Sequence, residues 1–132
     1  MNFRILLVPV TLIASCVVAN ADSIEPTKDS LETVKKNIAD KKAVLLDVRE
    51  KDEWNSGHLK DAIPLPLSSI EKGTTAAELT KLAGKDTVIY LHCAAGVRSL
   101  KAAKKLENLG RDLRPLKPGY DALVKAGFEQ AK

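Results

Sequence analysis

Cys93 opens a short segment of distinctive composition, Ala94-Ala95-Gly96-Val97-Arg98-Ser99. It follows the apolar run Thr87-Val88-Ile89-Tyr90-Leu91 and His92, and a helical pattern sets in near Lys101. A run rich in branched and aromatic residues reads as a buried strand. The cysteine is therefore expected where a strand ends and a helix starts. Backbone N–H groups converge at such a junction and the helix dipole favours negative charge, so a thiolate is stabilised there. Gly96 supplies the freedom of a tight turn, and successive inward N–H groups form an anion-binding nest. A thiolate in a nest is a nucleophile for covalent group transfer. The alternative is a small apolar cysteine that merely packs at a strand end.

Other residues could serve this centre. Arg98 has two readings: a positive charge for a bound anion, or an anchor that ties the loop to a carboxylate or carbonyl. Ser99 is expected to cap the next helix, and its hydroxyl could also support the thiolate. Asp47 and Arg49 follow the apolar run Ala43-Val44-Leu45-Leu46. They lie at the C-terminal end of that strand, where open α/β sheets place their sites. His58 reads as a hydrogen-bonded structural histidine. His92 directly precedes Cys93 on an extended segment, so its side chain is expected on the opposite face, as a structural partner. Neither histidine has a companion at metal-ligand spacing, and no metal or cofactor is expected.

The elements that must position these residues alternate along the chain. Asp29 is expected to cap a helix carrying Leu31, Val34 and Ile38, with Glu32 at its third position. The run from Ala43 is a strand covered on both faces. Glu50 to Asn55 is a short helix with Trp54 as its packing residue. Ala62 to Leu67 is extended, and Pro64 and Pro66 place it near an edge. Thr75-Ala76-Ala77-Glu78 is a capping box that opens a helix through Leu82, before Gly84. Thr87 to Leu91 is the central strand. Lys101 to Leu109 is an amphipathic helix ended by Gly110, Leu113 to Leu116 a short strand, and Tyr120 to Ala126 a last helix stopped by Gly127. This alternation predicts an α/β fold, an open parallel sheet with helices on both faces.

Length and charge bound the rest. A chain of 132 residues makes one domain. Its charge of +4 is spread among scattered acids and lysines, with few aromatics, so nucleic-acid binding is not supported. Met1-Asn2-Phe3-Arg4 is a basic start, Ile5 to Ala19 is uncharged and mostly apolar, and Ala19-Asn20-Ala21 fits a cleavage site. Residues 1–21 are thus expected to be a secretory signal peptide, too short in its apolar part to span a bilayer with ease. A competing reading ends a lipoprotein signal before Cys16, which would then carry a lipid anchor. Export to a periplasm is expected either way, free or membrane-anchored. Residues 22–28 read as a linker or edge element and 29–132 as the domain. Cleavage after Ala21 leaves Cys93 as the single thiol, unable to form an internal disulfide.

Four ordered stretches resemble the rhodanese (sulfurtransferase) family in its single-domain form. They are Leu45-Leu46-Asp47-Val48-Arg49-Glu50, Trp54-Asn55-Ser56-Gly57-His58-Leu59 with Ala62-Ile63-Pro64, the cysteine loop, and Leu116-Lys117-Pro118-Gly119-Tyr120 through Phe128. The similarity spans about Thr27 to Phe128. It implies a rhodanese-like fold and a cysteine persulfide cycle. Cys93 would attack a sulfane sulfur of thiosulfate or a persulfide, and a thiol would take that sulfur away. The loop from Ala94 to Ser99 would bind the donor, and Asp47, Arg49 and His58 would support the site. Leu123 stands where the family commonly has tryptophan, and Pro118 where it has glycine. Ala94, Ala95 and Val97 are apolar where many active members carry polar or charged residues.

Two rivals remain. The same loop resembles the cysteine phosphatase signature, but the four residues between Cys93 and Arg98 are one fewer than that signature has. The shorter loop suits one sulfur atom with its anionic tail better than a phosphoryl group. The domain could instead be a sulfur carrier or binding module, its apolar loop docking a partner protein. Nothing in the sequence demands an oligomer, and a monomer is expected.

Overall fold

The computed structural model describes residues 23–132. The signal-like segment 1–21 and Cys16, with any lipid on it, lie outside the described residues. Among those described, no helix is long and apolar enough to cross a membrane.

Helix α1 (Leu31–Ala39) leads into strand β1 (Ala43–Asp47), then α2 (Lys51–Asn55) and β2 (Ala62–Pro64). Helices α3 (Leu67–Lys72) and α4 (Ala76–Leu82) precede β3 (Val88–His92), α5 (Val97–Leu106), β4 (Leu113–Pro115) and α6 (Tyr120–Lys125). The four strands form one parallel sheet in the order β2-β1-β3-β4. The two longer, apolar strands occupy the centre. Pro64 and Pro115, which cannot donate to a ladder, end the edge strands.

Strand alternation divides the core into two layers. Leu46, Ile89, Leu91 and Cys93 face α3, α4 and α5, where Leu67, Ile70, Leu79, Ala102, Ala103 and Leu106 are buried. Ala43, Leu45 and Tyr90 face α1 and α6, where Val34 and Leu123 are buried. Asp47 and His92 lie opposite each other in the β1–β3 register, at the C-terminal end of the sheet. The expected α/β architecture, with helices on both faces, is thus the architecture of the chain. Leu123 is fully buried in its layer.

Several local expectations are corrected. Ser30, not Asp29, caps α1, its Oγ accepting from Thr33 N–H at 3.1 Å. Asp29 is drawn to partners distant in sequence, accepting hydrogen bonds from Tyr90 Oη at 2.7 Å and Arg114 at 2.9 Å. The extended reading through Leu67 missed α3. Pro66 enters that helix with φ −56°, and Leu67 and Ile70 bury one face of it. No side chain of its own caps it; the Glu50 carboxylate accepts from Ser68 N–H and Oγ instead. Trp54 packs as read, but half-buried at the surface, since α2 buries no residue. Its ring stacks on His58 with centroids 3.7 Å apart. The capping box of α4 is formed as read, Thr75 and Glu78 serving each other's N–H groups.

Candidate active site

Cys93 directly follows β3 and packs on the α5 side of the sheet. Gly96 turns the chain with φ 85°, and α5 begins at once at Val97, not near Lys101. A Cβ at Gly96 would run into the Lys117 carbonyl oxygen, and one at Gly119 into the carbonyl of Ala94. The segment Leu116–Tyr120 therefore braces the loop from outside. Its backbone holds on by Leu116 N–H to Leu91 O at 2.8 Å and Tyr120 N–H to Cys93 O at 2.9 Å. Gly119 was legible only as part of the C-terminal signature. Its steric role depends on the loop it packs against.

The sulfur lies inside this turn. Cys93 is 1% exposed, and its Sγ accepts the Gly96 N–H at 3.0 Å. Ser99 Oγ lies 3.6 Å from Sγ and 3.1 Å from both the Gly96 and Leu116 carbonyls. Its single proton serves one acceptor at a time. Burial pushes the thiol pKa up, but the N–H groups of Ser99, Ala95 and Gly96 and the Ser99 hydroxyl outweigh it, and the net shift is downward. Ser99 is thus not the helix cap; Gly96 holds that position. Ser99 takes a place in the buried stripe of α5 with Ala102, Ala103 and Leu106. That helical spacing was present in the sequence, but a polar residue in the stripe concealed it.

Arg98 takes its anchoring role. Its guanidinium forks onto Glu53 of α2, with Nη2 to Oε2 at 2.8 Å. The hydrogen bond from Arg98 holds the Glu53 carboxyl down to about 2. Glu53 also accepts the Glu50 N–H in the α2 capping box. The sequence reading missed Glu53 as a site residue. Nothing local distinguishes it from other helix-start acids.

The framework residues meet behind the loop. Arg49 Nε and Nη2 bind the Asp47 carboxylate, the shortest contact being 2.8 Å. Arg49 Nη2 also donates to Gly57 O at 2.8 Å, and its guanidinium lies 4.1 Å from the Tyr120 ring centroid. One buried cation thus joins β1, the turn before β2 and the segment that braces the cysteine loop. His58 Nδ1 lies 3.1 Å from Trp54 O, consistent with a structural role. His92 is fully buried on the face opposite Cys93, its Nε2 3.6 Å from Asp47 Oδ2. Neither ring nitrogen has a hydrogen-bond partner among the described residues. Burial, opposed by Asp47 and reinforced by Arg49, lowers its pKa and so disfavours the charged ring. Ala94, Ala95 and Val97 are exposed around the loop, Val97 at 74%.

A buried cysteine sulfur cradled by N–H groups at the C-terminal end of an open parallel sheet defines a cysteine-loop α/β domain. The rhodanese-like domain family matches residues 30–126, and the chain belongs to that family. It is 35% identical over 92 residues to a Bacillus subtilis protein named "Putative sulfur carrier protein YrkF", covering 69% of this chain and 45% of that one. It is 34% identical over 84 residues to the Schizosaccharomyces pombe "Putative thiosulfate sulfurtransferase, mitochondrial", covering 58% of each. The chain thus spans about half the length of these curated relatives. The structure of the human single-domain sulfurtransferase TSTD1 has the same fold, with a TM-score of 0.61 at 24% identity over 76% of this chain and 96% of that one.

Proposed function

We propose that the protein is a sulfurtransferase that carries a sulfane sulfur on Cys93. The observation that supports this best is the buried Sγ accepting the Gly96 N–H at 3.0 Å, with further N–H groups of the loop lowering its pKa. A thiolate held this way needs no separate base. It attacks the outer sulfur of a donor such as thiosulfate or a persulfide. The sulfur–sulfur bond breaks, and sulfite or a thiolate leaves with the bonding pair. The same N–H groups then stabilise the Cys93 persulfide, and an acceptor thiolate removes its outer sulfur in a second displacement. The names of two relatives, a sulfur carrier and a thiosulfate sulfurtransferase, agree with this class of chemistry.

A carrier is the second reading. It is favoured by the exposed apolar residues Ala94, Ala95 and Val97, which suit a protein partner docking over the loop. Export, with Cys16 either removed or lipidated, is proposed from the sequence of residues 1–21 alone.

Intact mass after exposure to thiosulfate or polysulfide tests the proposal. Addition of one sulfur, absent in Cys93→Ser and removed catalytically by cyanide or a thiol, supports the enzyme. Stable loading released only to one partner protein supports the carrier. No loading from any donor overturns both. The mass of the protein recovered from its own cell also reads the processed N-terminus.

A further inference from the structure

The loop around Cys93 is short of usable charge. Ala94, Ala95 and Val97 bring none, and Arg98 is its one cationic residue. That guanidinium is held on both nitrogens by Glu53, so the pair is electrically balanced. The neighbouring Arg49 is balanced in the same way by Asp47. Lys101 pairs with Glu71 at 3.1 Å, and Lys117 presents its carbonyl to Gly96 while its side chain is exposed to solvent. Around the sulfur the loop offers backbone N–H groups and the exposed apolar side chains of Ala94, Ala95 and Val97, and both nearby guanidiniums are paired with carboxylates. Arg98 nonetheless belongs to the cysteine loop itself, next to Ser99, whose Oγ lies 3.6 Å from Sγ.

Resting on the sulfurtransferase reading above, we infer that Glu53 is a specificity-determining residue: by neutralising Arg98 it biases Cys93 away from dianionic donors such as thiosulfate and toward donors carrying at most one negative charge, the persulfides of small thiols or of proteins. Coulomb attraction scales with donor charge, so cancelling a nearby cation costs a dianion more than a monoanion. The N–H cradle needs no such cation, because it addresses the single sulfur in transit. The favoured step is attack of the Cys93 thiolate on the terminal sulfur of R–S–SH. The Sγ–S bond forms and the S–S bond breaks. The thiolate R–S⁻ leaves with the electron pair, and the new persulfide proton equilibrates with solvent. No external oxidant or reductant is involved. The exposed Val97 suits the uncharged body of such a donor.

The test compares single-turnover loading of Cys93 by thiosulfate and by mercaptoethanol persulfide, read by intact mass. In Glu53→Gln the amide can still accept the Glu50 N–H, but Arg98 is left unbalanced. The ratio of thiosulfate to persulfide loading rates should rise about fivefold, and added salt should shrink that rise. Arg98→Gln leaves Glu53 unbalanced, and the ratio should fall by a similar factor. Glu53→Gln/Arg98→Gln should return it near the parent value. Opposite shifts in the two single variants cannot come from simple loss of structure. An unchanged ratio in both singles, or equal shifts of one sign, overturns the inference while leaving the sulfurtransferase reading intact. Failure of both donors to load the parent protein overturns that reading and the inference with it.

Discussion

Gly119 and the Ala94 carbonyl are packed so closely that no side chain fits between them. Gly119 has φ −88°, which any residue can adopt, so its requirement is space rather than backbone conformation. Gly119→Ala should push the cysteine loop off its brace. The expected cost is about 1–3 kcal/mol, as for overpacking elsewhere. Sulfur loading of Cys93 should fall more than stability does, because the N–H groups lose their aim. Thermal unfolding together with loading rate checks this, and a variant with parent-like loading would contradict it.

The N–H groups and the Ser99 hydroxyl lower the Cys93 pKa against the opposing effect of burial. Its thiolate should therefore form at a lower pH than that of an ordinary cysteine, and alkylation should titrate correspondingly early. Ser99→Ala removes the hydroxyl but keeps the N–H, so the midpoint should move upward without reaching that of a free thiol. The pH dependence of thiolate ultraviolet absorbance measures both. An unmoved midpoint in Ser99→Ala would mean that the hydroxyl serves only the Gly96 and Leu116 carbonyls.

Acid stability should depend on the ion pair between α2 and α5. The Glu53 carboxyl, ordinarily near 4.5, is held down to about 2 by its hydrogen bonds with Arg98. Its folded-state pKa lies below its unfolded value, so the unfolded chain binds the proton first as pH falls. Stability from this pair is full above about 4.5 and is lost as pH drops toward about 2. Asp29, lowered chiefly by the Tyr90 hydroxyl, adds to the same trend. In Arg98→Gln the loss over this window should be shallower. Denaturant unfolding at several acidic pH values reads the slope.

Asp47 and Arg49 are both buried, at 1% and 6% exposure. Asp47→Ala would leave the guanidinium with the Gly57 carbonyl and the Tyr120 ring, but without a counter-charge. Breaking such a pair from one side costs about 3–5 kcal/mol. The loss should be visible as a large shift in the urea midpoint. A change below about 1 kcal/mol, the scale of exposed pairs, would show that water reaches Arg49 readily.

The architecture was legible in the sequence because local signals agreed with it. Continuous apolar runs at Ala43–Leu46 and Val88–Leu91 demand cover on both faces, and that demand alone orders helices around a parallel sheet. The position of Cys93 at a strand end and the turn at Gly96 are likewise local consequences of residue type. Opposite faces for His92 and Cys93 follow from strand alternation.

Tertiary structure decided where local signals tied or where a partner lay far along the chain. Asp29 and Ser30 are both competent caps, and distant Tyr90 and Arg114 claimed Asp29. Helix α3 draws its capping carboxylate from Glu50. Ser99 left the cap because Gly96 turned the chain directly into α5. Both readings of Arg98 stayed open in sequence until folding brought Glu53 to it across 45 residues. Side-chain type and periodicity fix what a residue can do locally. Which of its possible partners it meets is set only when the packed sheet brings separate helices together.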